Sequence, residues 1–279
     1  MCGQRTACTG PSPTTRSGPE FAKEGSALKS RRIGQNENQP FPAEIEERHQ
    51  YIVYDKRLLP GFAATLFDPE YLETEGLLLV AEQGLRGVGW SFAYQDKVFV
   101  LRHYRRGGAV SRLNYDSYFG VSRVRSRPAC EWRMLCGMRA RGLPVPAPAA
   151  WRIIQSGLGF YRADLMTLRI PNCTALHRLL LQRKLSESEW RRLGVTLRQF
   201  HDNEVWHPDL NASNVLMDDR GQFHLVDFDR ARFRRGRGWR ERGILRLWRS
   251  LDKQRRLEPS LCYQESDFRA LLDAYRNNA

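Results

Sequence analysis

The sequence predicts an α+β fold, with a first half made mainly of antiparallel strands and one helix, and a second half made mainly of helices. Two observations support this prediction. Up to about residue 170, short apolar runs alternate with turn residues, which is typical of antiparallel sheet. From residue 173 onward, apolar residues recur at helical spacing instead. The chain has 279 residues, of which 41% are hydrophobic, so it can form two modest lobes around a sizeable core.

The chain divides into a tail and two lobes. Residues 1–44 are rich in Gly, Ser, Thr, Pro and Asn and show little hydrophobic periodicity, so a disordered tail is predicted there. Ordered structure is expected to begin near Tyr51. Residues 45–170 are predicted to form the first lobe, and residues 171–279 the second.

The first lobe is predicted to contain a glycine-bearing hairpin. Strands are predicted at residues 51–55, 76–82, 90–94 and 97–103, with a turn at Gln95–Asp96. Gly84, Gly87 and Gly89 lie just before the third of these strands, where glycines would let backbone amides approach a phosphate. Their spacing is not the usual one for a nucleotide-binding loop. Because glycines are also common in turns, a purely structural role is the alternative.

One helix and a second hairpin complete the first lobe. Residues 128–141 show near-helical spacing of apolar residues, and Gly142 is a plausible C-cap. The prolines of the following LPVPAP sequence favour an extended connector. Residues 151–170 are then typical of a hairpin that turns at Ser156–Gly157.

The second lobe is predicted to open with helices and continue with a small hairpin. A helix begins in residues 174–182, and Ser186 with Glu189 forms a capping box for the next helix. One face of that helix carries Trp190, Leu193, Leu197 and Phe200, and it ends near His201. The runs NVLMD and FHLVDF are separated by turn residues and predict a hairpin.

The stretch HPDLNASNVLMDDRGQFHLVDFDRAR, residues 207–232, carries the most specific chemical pattern. Asp209 and Asn214 lie in the loop before the hairpin, and Asp227 is placed at the end of its second strand. Phosphoryl transfer needs a carboxylate to orient and deprotonate the attacking hydroxyl, and a carboxylate with an amide oxygen to hold magnesium. The alternative is that these are only turn-forming polar residues.

The order of the predicted features is that of a kinase-like phosphotransferase. A glycine hairpin, a basic strand residue, a helix with an acid, an extended connector and a His-x-Asp loop follow one another. The loop resembles the His-Gly-Asp-x-x-x-x-Asn loop of aminoglycoside and choline phosphotransferases more than the His-Arg-Asp loop of protein kinases. Two positions depart from the protein-kinase pattern, because Arg102 stands where a phosphate-binding lysine is expected and position 211 is Asn.

The sequences VLRHYRRGG, GLPVPAP and YRADLMTLRIP, together with the HPDLNASNVLMD and FHLVDFDRAR sequences, resemble the lipopolysaccharide kinase family over roughly residues 50–275. Within that family, the resemblance is to kinases of 3-deoxy-D-manno-octulosonic acid (Kdo), whose own motif carries the arginine seen at 102. It implies a two-lobed, protein-kinase-like fold that uses ATP and a divalent metal such as Mg2+. It further implies phosphorylation of the 4-hydroxyl of a Kdo residue on a lipid A precursor.

The resemblance also implies roles for individual residues. Asp209 would be the catalytic base, Asn214 and Asp227 the metal ligands, and Arg102 the phosphate contact. Glu131 would pair with Arg102, although a solvated helix charge is the plainer interpretation. His207 would brace the loop, Asp229 could support or bind the metal, and adenine would lie near residues 166–170, beginning at Met166.

The positive charge is concentrated near the C-terminus. The chain has a net charge of +14, and residues 230–256 contain twelve Arg or Lys and two acidic residues, a net charge of +10. Ile244, Leu247, Trp248 and Leu251 recur there at helical spacing, so a basic amphipathic helix is predicted. It suits an anionic membrane surface or the phosphates of lipid A, and the alternative is a core-facing helix with a solvated arginine face. Arg105 and Arg106 form a second basic cluster, expected to hold the acidic sugar or lipid phosphates.

Several alternatives are open at this point. A heptose kinase of the same family differs only in its acceptor pocket. A small-molecule phosphotransferase of the aminoglycoside or choline type would usually have an acidic substrate lobe, which the charge disfavours. A nucleic-acid-binding protein would explain the arginines but not the ordered acids and amide. A protein kinase is disfavoured because no Ala-Pro-Glu segment follows Asp227.

The expected location is the cytoplasmic face of the inner membrane, with peripheral attachment. The six cysteines form no Cys-x-x-Cys pair, which favours thiols in a reducing compartment. No apolar run approaches the roughly 20 residues that a membrane-spanning helix needs. The first thirty residues lack the hydrophobic core of a signal peptide, so export by that route is not expected.

Overall fold

The first half of the chain folds into one antiparallel sheet, as predicted. The structure, a computed structural model, describes residues 40–47, 49–84, 87–104, 118–119, 122–155 and 160–277. The strands are β1 (Pro42–Glu47), β2 (Gln50–Asp55), β3 (Leu78–Gly84), β4 (Gly87–Tyr94), β5 (Lys97–His103), β6 (Tyr118–Phe119), β7 (Pro148–Gln155) and β8 (Phe160–Leu168). Their order across the sheet is β1-β2-β7-β8-β5-β4-β3, and β6 pairs with β8. The strand that carries Arg102, β5, therefore lies near the middle of the sheet.

Ordered structure begins earlier than the sequence predicted. Strand β1 starts at Pro42, inside the predicted tail of residues 1–44, and pairs along its whole length with β2. Its side chains are mostly exposed, with only Ala43 and Ile45 half-buried. An edge strand with so few apolar residues has almost no hydrophobic pattern, so the sequence does not reveal it.

Among the described residues, two α-helices accompany the sheet, and not one as predicted. Helix α2 (Arg127–Arg139) matches the predicted helix, and Gly142 follows it with a φ of 70°. Helix α1 (Pro69–Thr74) was not predicted. It is only six residues long, and its start is set by Asp68, whose Oδ1 accepts a hydrogen bond of 3.0 Å from the Glu70 amide. A helix of fewer than two turns is too short to show a periodic pattern of apolar residues in the sequence.

The second half is mainly helical, as predicted. Its helices are α3 (Leu176–Gln182), α4 (Glu187–Asp202), α5 (Arg240–Leu257) and α6 (Glu265–Asn277). Both bonds of the predicted capping box form, since Ser186 Oγ accepts from the Glu189 amide at 3.3 Å and Glu189 Oε2 accepts from the Ser186 amide at 2.7 Å. None of the helices that the structure describes has the length and apolar character needed to cross a bilayer.

Short strands hold the loops of the second half. They are β9 (Thr174–Ala175), β10 (Val205–Trp206), β11 (Val215–Met217), β12 (Phe223–Leu225) and β13 (Arg232–Phe233). Strands β11 and β12 form the predicted hairpin, with β9 on the other side of β11, and β10 pairs with β13. The loop between β10 and β11 is the one that carries Asp209 and Asn214.

The core consists of two hydrophobic clusters that do not follow the predicted lobe boundary at residue 170. One cluster includes Leu101 and Met166 and covers one face of the sheet. The other joins Trp132 of α2 and Leu165 of β8 to Leu197 of α4 and the rest of the second half. Neighbouring residues of β8 alternate between the two clusters, as strand geometry requires. The division into lobes at residue 170 therefore stays a prediction, since the described residues form one compact unit.

Candidate active site

A cavity of about 1480 Å³ opens between the sheet and the loops of the second half. Its walls include Gly89 of β4 and Arg102 of β5, which face each other in the strand register, and Glu131 of α2. They also include the three residues of the predicted phosphoryl-transfer pattern, Asp209, Asn214 and Asp227. Folding thus brings together residues that are more than a hundred positions apart in the sequence.

His207 holds the loop that carries Asp209. Its Nε2 lies 3.0 Å from the Val226 carbonyl oxygen, and its Nδ1 accepts a hydrogen bond of 3.1 Å from the Asp209 amide. These two bonds require a neutral ring with the proton on Nε2. Burial lowers the pKa of His207, which favours the same neutral form. The histidine therefore braces the loop, as expected, rather than acting as a base.

Two asparagines complete the loop. Asn211 Oδ1 accepts hydrogen bonds from the amides of Ser213 at 2.8 Å and Asn214 at 3.2 Å, an arrangement that closes the turn. Asn214 donates from Nδ2 to the Asp209 carbonyl oxygen at 2.9 Å. Because its nitrogen is used in this bond, the amide oxygen of Asn214 is the atom that it can offer to a metal.

Asp227 lies two residues beyond β12, and not at the end of that strand as predicted. Its φ is 62°, in the left-handed region that few side chains other than Asn and Asp tolerate. Such strained positions concentrate at functional sites, where surrounding contacts hold them. The left-handed backbone at Asp227 also explains why β12 ends before this residue, since a residue with this φ cannot continue a strand.

Arg102 links the sheet, helix α2 and the Asp227 loop. One guanidinium nitrogen, Nη1, forms an ion pair with Asp227, and the other, Nη2, forms an ion pair with Glu131. The buried Tyr104 donates its hydroxyl to Glu131, and burial followed by the Glu131 charge raises the pKa of Tyr104 well above its usual range. Glu131 Oε1 also accepts from the Phe228 amide at 3.2 Å. The predicted pair of Arg102 and Glu131 is therefore formed.

Other contacts at the site were not predicted from the sequence. Asp229 is buried and pairs with Arg127 of α2, whose Nε lies 2.9 Å from Asp229 Oδ1. Arg246 of α5 forms an ion pair with Asp209. The basic pattern of residues 230–256 indicates that α5 carries arginines, but nothing in that pattern selects the one that reaches Asp209.

The residues predicted to contact the nucleotide differ in whether they line the cavity. The side chain of Met166 is fully buried in the sheet cluster and is absent from the cavity lining, so the nucleotide contact expected here, which involves the backbone, stays a prediction. Its strand neighbours Leu165 and Thr167 line the cavity instead, because alternate residues of a strand point to opposite faces. Gly84 and Gly87 pair across the end of the β3–β4 hairpin, whose turn residues 85 and 86 lie outside the described residues, as do Arg105 and Arg106.

The donor atoms of the site fit a magnesium–nucleotide complex. Carboxylate and carboxamide oxygens are the ligands that Mg2+ prefers, and it commonly takes one or two of them together with phosphate oxygens. Asp227 and Asn214, which both line the cavity, supply that set. Among the described residues there is no cluster of three or more His, Cys, Asp or Glu that could bind a metal alone. A Mg2+ ion held by Asp227 and Asn214 would take phosphate oxygens as further ligands.

Comparison with known proteins agrees with this geometry. The chain matches the lipopolysaccharide kinase (Kdo/WaaP) family over residues 71–275. It is 32% identical to a 3-deoxy-D-manno-octulosonic acid kinase of Actinobacillus succinogenes, over 84% of this chain and 99% of the relative. Proteins of the same description from Vibrio vulnificus and Photobacterium profundum are 34% and 36% identical, over 81% and 74% of this chain and 94% and 86% of theirs.

A solved structure supports the fold. The structure described as "WaaP in complex with acyl carrier protein" superposes with a TM-score of 0.50 at 16% identity, over 79% of this chain and 85% of that one. This likeness confirms the predicted kinase-like α+β fold. The family match and the curated relatives show that the chain belongs to the lipopolysaccharide kinase (Kdo/WaaP) family and is an ATP-dependent phosphotransferase of that family.

Proposed function

We propose that this kinase transfers the γ-phosphoryl group of ATP to the 4-hydroxyl of a Kdo residue attached to a lipid A precursor, in assembly of the lipopolysaccharide inner core. The observation that carries the proposal is the meeting of Asp209, Asn214 and Asp227 in one cavity with Arg102. The names of the relatives support Kdo as the acceptor.

In the proposed mechanism, Asp209 accepts a hydrogen bond from the acceptor hydroxyl and takes its proton onto the carboxylate as transfer proceeds. Asn214 and Asp227 would hold Mg2+, which neutralises charge on the phosphates when it is bound with ATP. Arg102 keeps Asp227 and Glu131 in place and lies where a phosphate contact is expected. Arg246 fixes the orientation of the Asp209 carboxylate.

The charge of the cavity favours an acidic acceptor. Arginine and lysine side chains from three parts of the second half line it, including Arg178 of α3, Arg234 after β13 and Lys253 of α5. Kdo carries a carboxylate and lipid A carries phosphates, so both match this wall. A neutral heptose would use fewer of these cations.

The acceptor is a lipid, so we also propose that the enzyme works as a peripheral protein on the cytoplasmic face of the inner membrane. The basic segment that begins at Arg230 supports this, and five of its arginines precede α5, namely Arg230, Arg232, Arg234, Arg235 and Arg237. Reversing several of these charges should weaken binding to vesicles that contain anionic lipid. Unchanged vesicle binding would limit this segment to a structural role.

The experiment that tests the function supplies purified protein with Mg2+, labelled ATP and one of three additions. These are a Kdo–lipid A precursor, a heptosylated core acceptor and RNA. Label that enters only the Kdo acceptor, and is lost in Asp209→Asn, would support the proposal. Label in the heptose acceptor alone would mean that the protein is a kinase of this family with a different acceptor. Tight RNA binding without any transfer would contradict the proposal.

A further inference from the structure

The basic residues of α5 fall into two sets. Three of them lie outside the cavity lining and each pairs with a carboxylate, with distances of 3.1 Å for Arg240 to Asp202, 2.9 Å for Arg255 to Asp252 and 2.7 Å for Arg256 to Asp252. The other cations that line the cavity form a second set, here called the cation stripe: Arg242, Arg246, Arg249 and Lys253. The two sets differ in position, and within the cation stripe Arg246 also pairs with a carboxylate, that of Asp209.

The cation stripe follows one face of the helix. Its members are separated by four, three and four residues, which places them on one side of an α-helix. The buried residues Ile244, Leu247 and Leu251 occupy a different side, where they join the core. The helix therefore presents a row of positive charges toward the cavity while its apolar face holds it in the fold.

Among the described residues, most of the cation stripe has no carboxylate partner. Arg249 and Lys253 make no hydrogen bond or ion pair with any described residue. Within the same residues, Arg242 donates a hydrogen bond only to the Gly238 carbonyl oxygen, at 3.3 Å. Like charges three or four residues apart repel one another. Arg255 and Arg256, on the same helix but outside the cavity lining, both pair with Asp252. Unneutralised cations along a cavity wall indicate an anionic ligand.

The position of the cation stripe relative to the reacting atoms is fixed at two points. Arg246 pairs with Asp209, and Ser250 Oγ accepts a hydrogen bond of 3.1 Å from the Ala212 amide in the same loop. An acceptor hydroxyl must come within hydrogen-bond reach of Asp209 to react. Arg246 is then beside the acceptor sugar, and Lys253 lies about 10 Å further along the helix, two turns away.

We propose that the cation stripe is the anion-binding subsite for the acceptor of this kinase. Arg246 binds the carboxylate of the acid sugar beside the reacting hydroxyl, and Arg249 and Lys253 bind anionic groups further along the same acceptor molecule. A guanidinium suits the first position because it has several donors, so it can serve Asp209 and a second carboxylate together. This inference rests on the proposed function, because it names the part of the enzyme that recognises the acceptor.

The test compares two double variants that remove the same charge from the same helix. Arg249→Ala with Lys253→Ala removes two members of the cation stripe, and Arg255→Ala with Arg256→Ala is the matched control. The KM for the Kdo–lipid A precursor, supplied in neutral detergent, should rise roughly tenfold or more in the first variant only. The KM for ATP should stay within twofold in both. Equal acceptor KM values in the two variants would overturn the inference.

A second measurement isolates Arg246 from its effect on Asp209. Wild type and Arg246→Met are each assayed with the acceptor and with its carboxylate methyl ester. If Arg246 binds the carboxylate, esterification should lower kcat/KM at least tenfold in wild type and much less in the variant. An equal loss in both enzymes would show that Arg246 does not contact this group.

Two further measurements distinguish an anionic acceptor from an anionic membrane surface, and a failure of this inference from a failure of the proposed function. Weaker binding of the cation-stripe variant to anionic vesicles, with an unchanged acceptor KM in detergent, would assign these residues to the membrane surface and overturn the inference. Wild-type enzyme that phosphorylates a heptosylated acceptor and not the Kdo acceptor would overturn the proposed function. The same pair of double variants, assayed on that acceptor, would then test the cation stripe separately.

Discussion

The guanidinium of Arg102 forms an ion pair with Asp227, a residue 125 positions later in the chain. The same guanidinium pairs with Glu131, so one side chain joins the sheet, helix α2 and the loop that carries the expected metal ligand. A lysine at this position has a single nitrogen. It can form one of these pairs well but cannot span both with the same geometry.

We therefore expect Arg102→Lys to impair the enzyme although it keeps the charge. Losing one charge-assisted hydrogen bond and leaving its partner unsatisfied costs about 1.5 to 3 kcal/mol, so kcat/KM for ATP should fall roughly 10- to 100-fold. Steady-state kinetics with varied ATP measure this. Arg123→Lys is the control, because Arg123 forms an exposed pair with Glu46 at the surface. Kinetics like those of wild type would mean that the bridge is dispensable.

Asp209→Asn should lower turnover by a factor of about 10² to 10⁴, because the amide cannot accept the hydroxyl proton. ATP binding, measured by calorimetry, should be largely retained. The control is Asp219→Asn, which changes an exposed acid that accepts a hydrogen bond of 2.8 Å from Asn172. A variant with near-normal turnover would remove Asp209 from the mechanism.

Asp227→Asn should raise the magnesium concentration needed for half-maximal activity by about tenfold or more, because a neutral amide binds Mg2+ less well than a carboxylate. The backbone should be preserved, since asparagine also tolerates the φ of 62° found here. Activity is titrated with Mg2+ at fixed ATP, beside Asp96→Asn, whose carboxylate lies in the exposed β4–β5 turn. An unchanged magnesium dependence would exclude Asp227 as a ligand.

The free energy of unfolding should fall when the pH drops below about 6.5. Burial lowers the pKa of His201 from 6.5 to about 4 in the folded protein, so the unfolded chain binds this proton first as the solution is acidified. Between pH 7 and pH 5 this single group removes about 2 kcal/mol of stability. The burial of His207 acts in the same direction.

Urea unfolding of His201→Gln at the two pH values checks this prediction. The glutamine variant should lose about 2 kcal/mol less than wild type over the interval, because it has no proton to bind. His49→Gln, which removes an exposed histidine, should follow the wild-type curve. If all three proteins lost the same stability, His201 would not be the group that titrates.

Gly194→Ala should destabilise the second half of the molecule. A β-carbon at Gly194 would lie 2.2 Å from the Leu271 carbonyl oxygen, which is backbone of α6 and cannot rotate away. The helices must separate, which costs about 1 to 3 kcal/mol even though alanine favours the helix itself. Thermal unfolding measures the loss. Gly238→Ala is the control, because a β-carbon there would meet no heavy atom of the described residues within 4 Å, and an equal effect at that position would contradict the packing argument.

Most of the sheet and the long helices could be predicted because their signals are local. The capping box of Ser186 and Glu189, the turn at Gln95 and the glycine after α2 each act over a few residues, and the structure has all of them. The elements that escaped prediction are those with little pattern. Strand β1 is an exposed edge, and α1 is six residues long.

Within the predicted basic helix, the pattern did not distinguish the buried apolar residues from an exposed one. Trp248 shares the helical spacing of Ile244, Leu247 and Leu251, yet it is 38% exposed while the other three are buried. Spacing on a helix defines a broad apolar face, and only the neighbouring elements determine how much of that face is covered.

By itself, the sequence determined the fold class, the order of the elements and the chemical type of the site, because Asp209, Asn214 and Asp227 lie within twenty residues of one another in a recognisable pattern. Tertiary structure alone decided the other partners: Asp227 for Arg102, Arg127 for Asp229, and Arg246 for Asp209. The tertiary structure also placed the side chain of Met166 in the hydrophobic core. Contacts between residues far apart depend on how sheet and helices pack, and no local spacing encodes that.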